Sequence, residues 1–585
     1  MLKNLVLIIS LVAIMILTSS CGLFKCKHKE YDEKTVAPNC FSEGYTEHTC
    51  KKCEDSYRDN ILPKTHHYFA GAACPNCGMA EITENITPDT EWYSEEIAMF
   101  TLTTKEQLAG LASVVNSGTD FANKIVYLGA NIDFEYYEWI PIGNAEHAFN
   151  GTFDGDGYTV SGLKINASAA YVGLFGNSTG KILNVNVVDA NVFVSRDYNY
   201  VSIICGCTTN EITNVSANGF IEAPKSDYVG AIAGGAKPGN MLYSKLTNTA
   251  TVKGRTFVGG IIGDITSTGT VQTDRITNTG DVTGTSQVGG VFGHISAQVG
   301  SSVYNVSSSA DIEGDYYVGG IIGKADNVAV STCSNEGSTV TANSYYAEGS
   351  EFRAWLGGYV GYGYSIEKCT NNVNITYNSR GTYVGGIIGY ATDSVKDCTN
   401  NGTITTYTNC VGGIAGSLCP GNTYGELYKN LANNGNIIGK DNIGGVAGEV
   451  NQNMNVASNV ITKLDKISNS SRVEGENNVG GLIGVIKNIN NGSWYDYYAG
   501  TIHCSSSLNI VDLKNVGTVF GISNCGELFG EATSEGSSTV TGYTVTGKIT
   551  INGELLEGEY DVGTSSNLTL SDREIYGAES TEATE

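Results

Sequence analysis

The chain has 585 residues, 41% of them apolar, enough to bury a core and to exclude an intrinsically disordered polymer. Its net charge of −26 argues against a nucleic-acid partner, because a phosphate backbone is held by clustered Lys and Arg. Glycine numbers 74 against 8 prolines without a three-residue period, which points to tightly turning β structure rather than collagen.

Residues 1–20 open with Lys3 and run apolar from Leu5 to Leu17, a length that suits a signal-peptide core better than a membrane span. Thr18–Cys21, "TSSC", then resembles the lipobox of bacterial lipoproteins. That resemblance implies lipidation of Cys21 and anchorage to the bacterial cell membrane, facing outward. Thr18 stands where the lipobox usually has an aliphatic residue; the competing reading is an ordinary cleaved signal with a chance cysteine. No second apolar span follows.

Residues 21–78 concentrate cysteine and histidine: Cys26, His28, Cys40, Cys50-x-x-Cys53, His66, His67 and Cys74-x-x-Cys77. Two C-x-x-C pairs twenty residues apart are a zinc signal, because each pair can grip one tetrahedral ion. The spacing places Cys50, Cys53, Cys74 and Cys77 on one structural Zn²⁺, leaving Cys26, His28, Cys40 and His66 for a second. Disulfides are the rival reading outside the cell. The stretches "CKH", "TCKKCEDSYRDN", "THHY" and "CPNCG" resemble small zinc-ribbon-like Cys/His modules of anaerobic bacterial surface proteins. In those modules the histidine lies two places before an aromatic. With Tyr68 as that aromatic, His66 is favoured over His67.

Residues 79–100 are polar and acidic and read as a linker; 101–165 read as a cap and lead-in. Within "TTKEQLAGLASVVNSG", Thr103 and Glu106 have capping-box spacing, and Leu108, Leu111, Ala112 and Val115 share one helical face. Ser117-Gly118 ends that helix.

From residue 166 to 530 an apolar heptapeptide recurs: "FVGGIIG" at Phe257, "YVGGIIG" at Tyr317 and at Tyr383. Its first glycine, or the equivalent, falls at Gly173, Ser202, Gly230, Gly259, Gly289 and Gly319, then at Gly357, Gly385, Gly412, Gly444, Gly480 and Gly517. A unit of this size cannot bury its apolar face alone, so the period means a stacked array. The runs between glycine pairs are short and β-branched, which excludes helix pairs. The fold class is therefore all-β: a parallel β-solenoid, right-handed β-helix-like, of about 28–38-residue repeats behind a small Cys/His module.

The glycine pair suits a corner that needs either a positive φ or close backbone approach. Asn184, Asn214, Asn248, Asn278, Asn305, Asn371 and Asn400 follow short apolar runs and could stack in ladders, although their offsets from the glycines vary. Cys333, Cys369 and Cys398 read as small core residues. Residues 531–585 read as a last β element and an acidic tail.

"NIDF" to "WIPIG", "FNGTFDGDGYTVSGLKI", and "YVGLFG" with "KILNVNV" together resemble the GLUG-repeat proteins of bacterial surfaces. That resemblance implies an exported, adhesin-like protein. Some members are zinc peptidases carrying H-E-x-x-H; that motif is missing here, so peptidase activity is not expected.

The longest repeats carry aromatics beside acids: Tyr345, Tyr346, Glu348 and Trp355 in one, and Trp494, Tyr495, Asp496, Tyr497 and Tyr498 in another. Such groups suit a host or envelope glycan or a protein partner, and they equally suit packing back onto the array. The expectation is a lipid-anchored, non-catalytic surface protein binding through these loops. A polysaccharide lyase or hydrolase is the alternative, with Asp154 and Asp156 of "FDGDG" as its acids, although acids flanked by glycine are usually turn residues. A ligand-free spacer is the second alternative.

Overall fold

The computed structural model describes residues 30–561 apart from 41, 63–64, 66, 70–72, 337–338, 343–353, 378–381, 420–424, 452–459, 489–492, 497–499, 504–505, 527, 535–543, 552–553 and 558–559. The chain divides into two compact units, one ending at Glu81 and the other starting at Ile82.

In the first unit a three-stranded antiparallel sheet runs Tyr31–Val36, Gly44–Cys50 and Ser56–Leu62. A tight turn follows at Cys74–Cys77, closed by Gly78 N–H donating to Cys74 O at 2.8 Å.

The second unit is a parallel β-solenoid. Its regular coils have four strands, as in Asp227–Gly230, Ala233–Ala236, Met241–Asn248 and Thr251–Lys253. The next coil repeats them in register: Gly230 pairs with Gly259, Ala233 with Ile262, Leu246 with Ile276, and Val252 with Val282. The heptapeptide strands form a separate 10-stranded sheet from Asp227–Gly230 to Ser523–Gly526. In-register stacking puts like residues above like, so each inward position becomes a continuous apolar column. One such column is Leu246, Ile276, Val306, Cys333, Cys369, Cys398, Leu431, Ile467 and Leu513, all buried. The three cysteines are thus core residues, as expected.

Lys105–Asn116 is the sole α-helix among the described residues, and it buries Leu108, Leu111, Ala112 and Val115. Its cap lies one residue later than expected: Thr104 accepts from Gln107 N–H at 3.2 Å, and Gln107 Oε1 in turn accepts from Thr103 N–H at 2.8 Å. Ser117 is the C-cap and Gly118 follows with φ 111°. The segment 79–100, expected to link, is mostly exposed but is tied to the core at a few points. Ile86 is in the core, Trp92 meets Phe100 edge-on, and Tyr93 lies against Phe121. Its acids concealed those apolar anchors.

The period itself needs one correction. Gly480 pairs with Gly526, so the last equivalent glycine is Gly526 and not Gly517. Gly517 instead accepts at its carbonyl from Asn515, and the last step is 46 residues, that separating Asn469 from Asn515.

Candidate functional site

A cluster of Cys and His that could hold a metal is built in the first unit. Cys40 lies after the first strand, His67, Cys74 and Cys77 lie in and before the tight turn, and their ligand atoms all sit within 4.8 Å of one another. Cys40 Sγ is 3.7 Å from Cys74 Sγ, and Cys77 Sγ is 3.3 Å from His67 Nδ1. A tetrahedron with Zn–S bonds of about 2.3 Å has S···S edges of about 3.8 Å, so this set fits a Cys₃His zinc site. A disulfide does not fit, because it needs an S–S distance of about 2.05 Å. The same edge suits other tetrahedral thiolate metals.

The tetrad departs from expectation in membership. Cys74 and Cys77 are in it; Cys50, buried at a strand end, and Cys53, whose Sγ is 3.5 Å from Asp55 Oδ2, are not. Among the described residues the histidine of the set is His67, which stacks on Phe69 with ring centroids 5.7 Å apart. His66, Cys26, His28 and Cys21 lie outside the described residues.

The thiols are unequal. Burial is the largest influence on both Cys40 and Cys74. At Cys40 it prevails, pushing the thiol up to about 12. At Cys74 the N–H groups of Tyr68 and Asn76 outweigh it and lower the thiol. A bound divalent ion would displace the remaining thiol protons, and acid would oppose binding.

The aromatic insertions are placed differently from each other. Trp355 is built into the solenoid wall, stacked on Tyr317 at 4.5 Å and edge-on to Tyr362 at 5.9 Å. One of its faces is therefore taken. Tyr345 and Tyr346 lie outside the described residues, as do Glu348, Tyr497 and Tyr498. Trp494, Tyr495 and Asp496 fall on Ser493–Asp496, which pairs antiparallel with Gly500–His503. That hairpin is a separate two-stranded sheet, while Val460–Asn469 pairs directly with Ser506–Asn515 to continue the coils past it. At its root Lys487 Nζ lies 2.8 Å from the fully buried Glu449 carboxylate. Asn451 also donates to Glu449, at 2.9 Å.

Sequence reasoning missed two outward features. Tyr171, Tyr200, Tyr228 and Phe257 stack successively at 5.0, 4.7 and 4.8 Å. Their faces are spent on each other, so the row stabilises coils rather than offering a platform to a sugar ring. Beside it, Asp264, His294 and Lys324 occupy one register position on three successive coils. Asp154 and Asp156 form a turn: Asp154 Oδ1 accepts from Asp156 N–H at 2.9 Å and from Asn184 Nδ2 at 2.8 Å.

Halomucin of Haloquadratum walsbyi is 32% identical over 143 residues, which are 22% of this chain and 2% of halomucin. The chain therefore spans only a small part of that protein's length. The family model described as the GLUG motif matches residues 380–405, the stretch from one glycine-pair strand through Val395–Asn400 to Ile404–Thr406, so the chain carries a GLUG repeat in the form of one solenoid coil.

Proposed function

We propose that this is a surface-displayed, non-catalytic binding protein. Its solenoid is a scaffold, lipidated Cys21 is its anchor, zinc closes its N-terminal module, and its ligand is a glycan or protein held by the insertion around Trp494. The observation that carries this reading is the self-paired hairpin Ser493–Asp496 with Gly500–His503. It leaves the coil path between two strands that otherwise stack without interruption. A detour whose backbone pairs with itself rather than with the coils sets Trp494, Tyr495 and Asp496 apart from the stacked scaffold, where repeat proteins carry binding insertions. The GLUG repeat and the likeness to halomucin support display outside the cell.

Affinity electrophoresis of the protein through gels containing different host and plant glycans, with the glycans sized afterwards, tests the reading. Retardation with intact glycans is expected, and Trp494→Ala with Tyr497→Ala abolishes it. Shortened glycans would replace binding by polysaccharide cleavage. No retardation by glycans or by protein ligands would leave a spacer. For the anchor, labelled fatty acid should enter the protein and fail to enter Cys21→Ser.

A further inference from the structure

His294 is nearly enclosed and lies between two carboxylates from neighbouring coils. Its Nδ1 is 2.6 Å from Asp264 Oδ1 on Ile262–Thr266, and its Nε2 is 3.1 Å from Asp326 Oδ2 on Ile322–Ser331. The imidazole thereby joins three successive coils. Each carboxylate has a second partner: Thr266 Oγ1 donates to Asp264 at 3.0 Å, and Lys324 Nζ to Asp326 at 2.7 Å.

We propose that His294 is a proton-operated staple. Protonated, it binds both neighbouring coils; neutral, it holds only one and turns a nitrogen lone pair toward a carboxylate. A neutral imidazole has one N–H, so it can donate to Asp264 or to Asp326 but not to both. The unserved carboxylate then faces a lone pair at contact distance. In a stacked array each coil touches only its neighbours, so this change weakens one stretch of the solenoid rather than the whole.

The surroundings support that sense. Phe257 covers the imidazole with ring centroids 5.6 Å apart, limiting water. Tyr228 and Cys207 face Asp264, Tyr317 faces Asp326, and Tyr362 lies 5.7 Å from Lys324 Nζ. These are neutral neighbours near pH 7; Lys324 is the cation acting on Asp326, and Lys237 lies on the far side, facing Tyr228 and Cys207. For His294, burial is the largest influence and opposes protonation, but the two carboxylates outweigh it and raise its pKa above 6.5. For Asp326, burial is opposed by His294 and Lys324, which bring its pKa below 3.8.

The sign follows from those directions. The raised histidine contributes stability that is complete below pH 6.5 and is lost as pH climbs through its folded value. The lowered aspartate contributes above pH 3.8 and is lost as pH falls through its own folded value. The staple is therefore tightest between about pH 4 and 6.5 and loosens in alkali.

Hydrogen exchange of the intact protein, corrected for intrinsic rates, tests this at pH 5.5 and 8.5. Peptides spanning 292–304 should be more protected at pH 5.5, by up to about tenfold per unit of pKa displacement. Peptides spanning 404–418 should not change in step. His294→Gln should flatten that difference, and so should Asp326→Asn, which keeps the imidazole if the first variant fails to fold. Wild-type pH dependence persisting in either variant overturns the staple, as does equal loss of protection at 404–418.

Discussion

At Gly386 an added methyl would lie 2.5 Å from the Asn400 side-chain amide and against the Gly413 carbonyl. None of the heptapeptide glycines has a positive φ. Of the two reasons a corner could want glycine, close approach is the operative one. What approaches is an asparagine ladder: Asn371 Nδ2 donates to Asn400 Oδ1, Asn400 to Asn433, and Asn433 to Asn469, each at 2.8 Å, and Asn469 to Asn515 at 3.0 Å. Each member also closes its own turn, as Asn400 Nδ2 does by donating to Gly402 O at 2.8 Å. The second glycine of the pair makes room for the asparagine, whereas the first is held close to backbone, as Gly385 is to the Ile388 and Ile414 carbonyls. Gly386→Ala should cost about 1–3 kcal/mol by overpacking. Gly239→Ala, with open space around it, should stay within about 0.5 kcal/mol. Asn400→Ala strands buried amide partners and should cost about 1–3 kcal/mol, whereas exposed Asn401→Ala should be near neutral. Denaturant titration of the four variants checks both pairs.

The asparagines in the sequence do not all belong to that ladder, which explains their variable offsets. Asn184, Asn214 and Asn305 sit one strand turn earlier, at corners with φ of 54–56°, a backbone conformation that asparagine tolerates better than most residues. Asn214 Nδ2 donates to Asn184 Oδ1 at 2.7 Å, forming a separate, exposed rail. Two columns of one residue type, interleaved in sequence, cannot be separated without knowing which side of the coil each occupies.

Among the elements, the turn Cys74–Cys77 with Cys40 and His67 is the cluster that could hold a metal, and in the proposed reading that ion stabilises its unit. Its unit is small, and small units rely on such staples. One ion per chain is expected, and chelation should collapse the dispersion of residues 30–81 in NMR spectra while the coil signals persist. His67→Ala should lower metal affinity by more than the roughly 10–100-fold typical of losing an outer partner. His66→Ala should leave it near wild type. Zinc affinity should also fall on acidification, with proton release on binding at neutral pH, because Cys40 must give up a thiol proton held near 12. The C-x-x-C spacing made a metal-capable cluster legible. Which pair shares an ion with Cys40 was not legible, because that depends on how the strand hairpin folds relative to the turn.

For the solenoid as a whole, the period was the readable quantity, because each coil must close on the same cross-section to stack. Buried side chains also followed from it, down to Cys333, Cys369 and Cys398. The exceptions came where the chain leaves the cross-section. Gly517 imitated the period because the hairpin at 493–503 had pushed the true equivalent to Gly526. The same detour separates scaffold from function in the proposed reading, so removing it is the most direct test. Residues 489–505 would be replaced by a short turn joining Ile483–Asn488 to Ser506–Asn515, which keeps Lys487 beside Glu449 and the pairing of Ser506–Asn515 with Val460–Asn469. The account predicts that unfolding and the β signal stay near wild type while retardation by ligand disappears. Retained ligand binding, or loss of the coil fold, would contradict it.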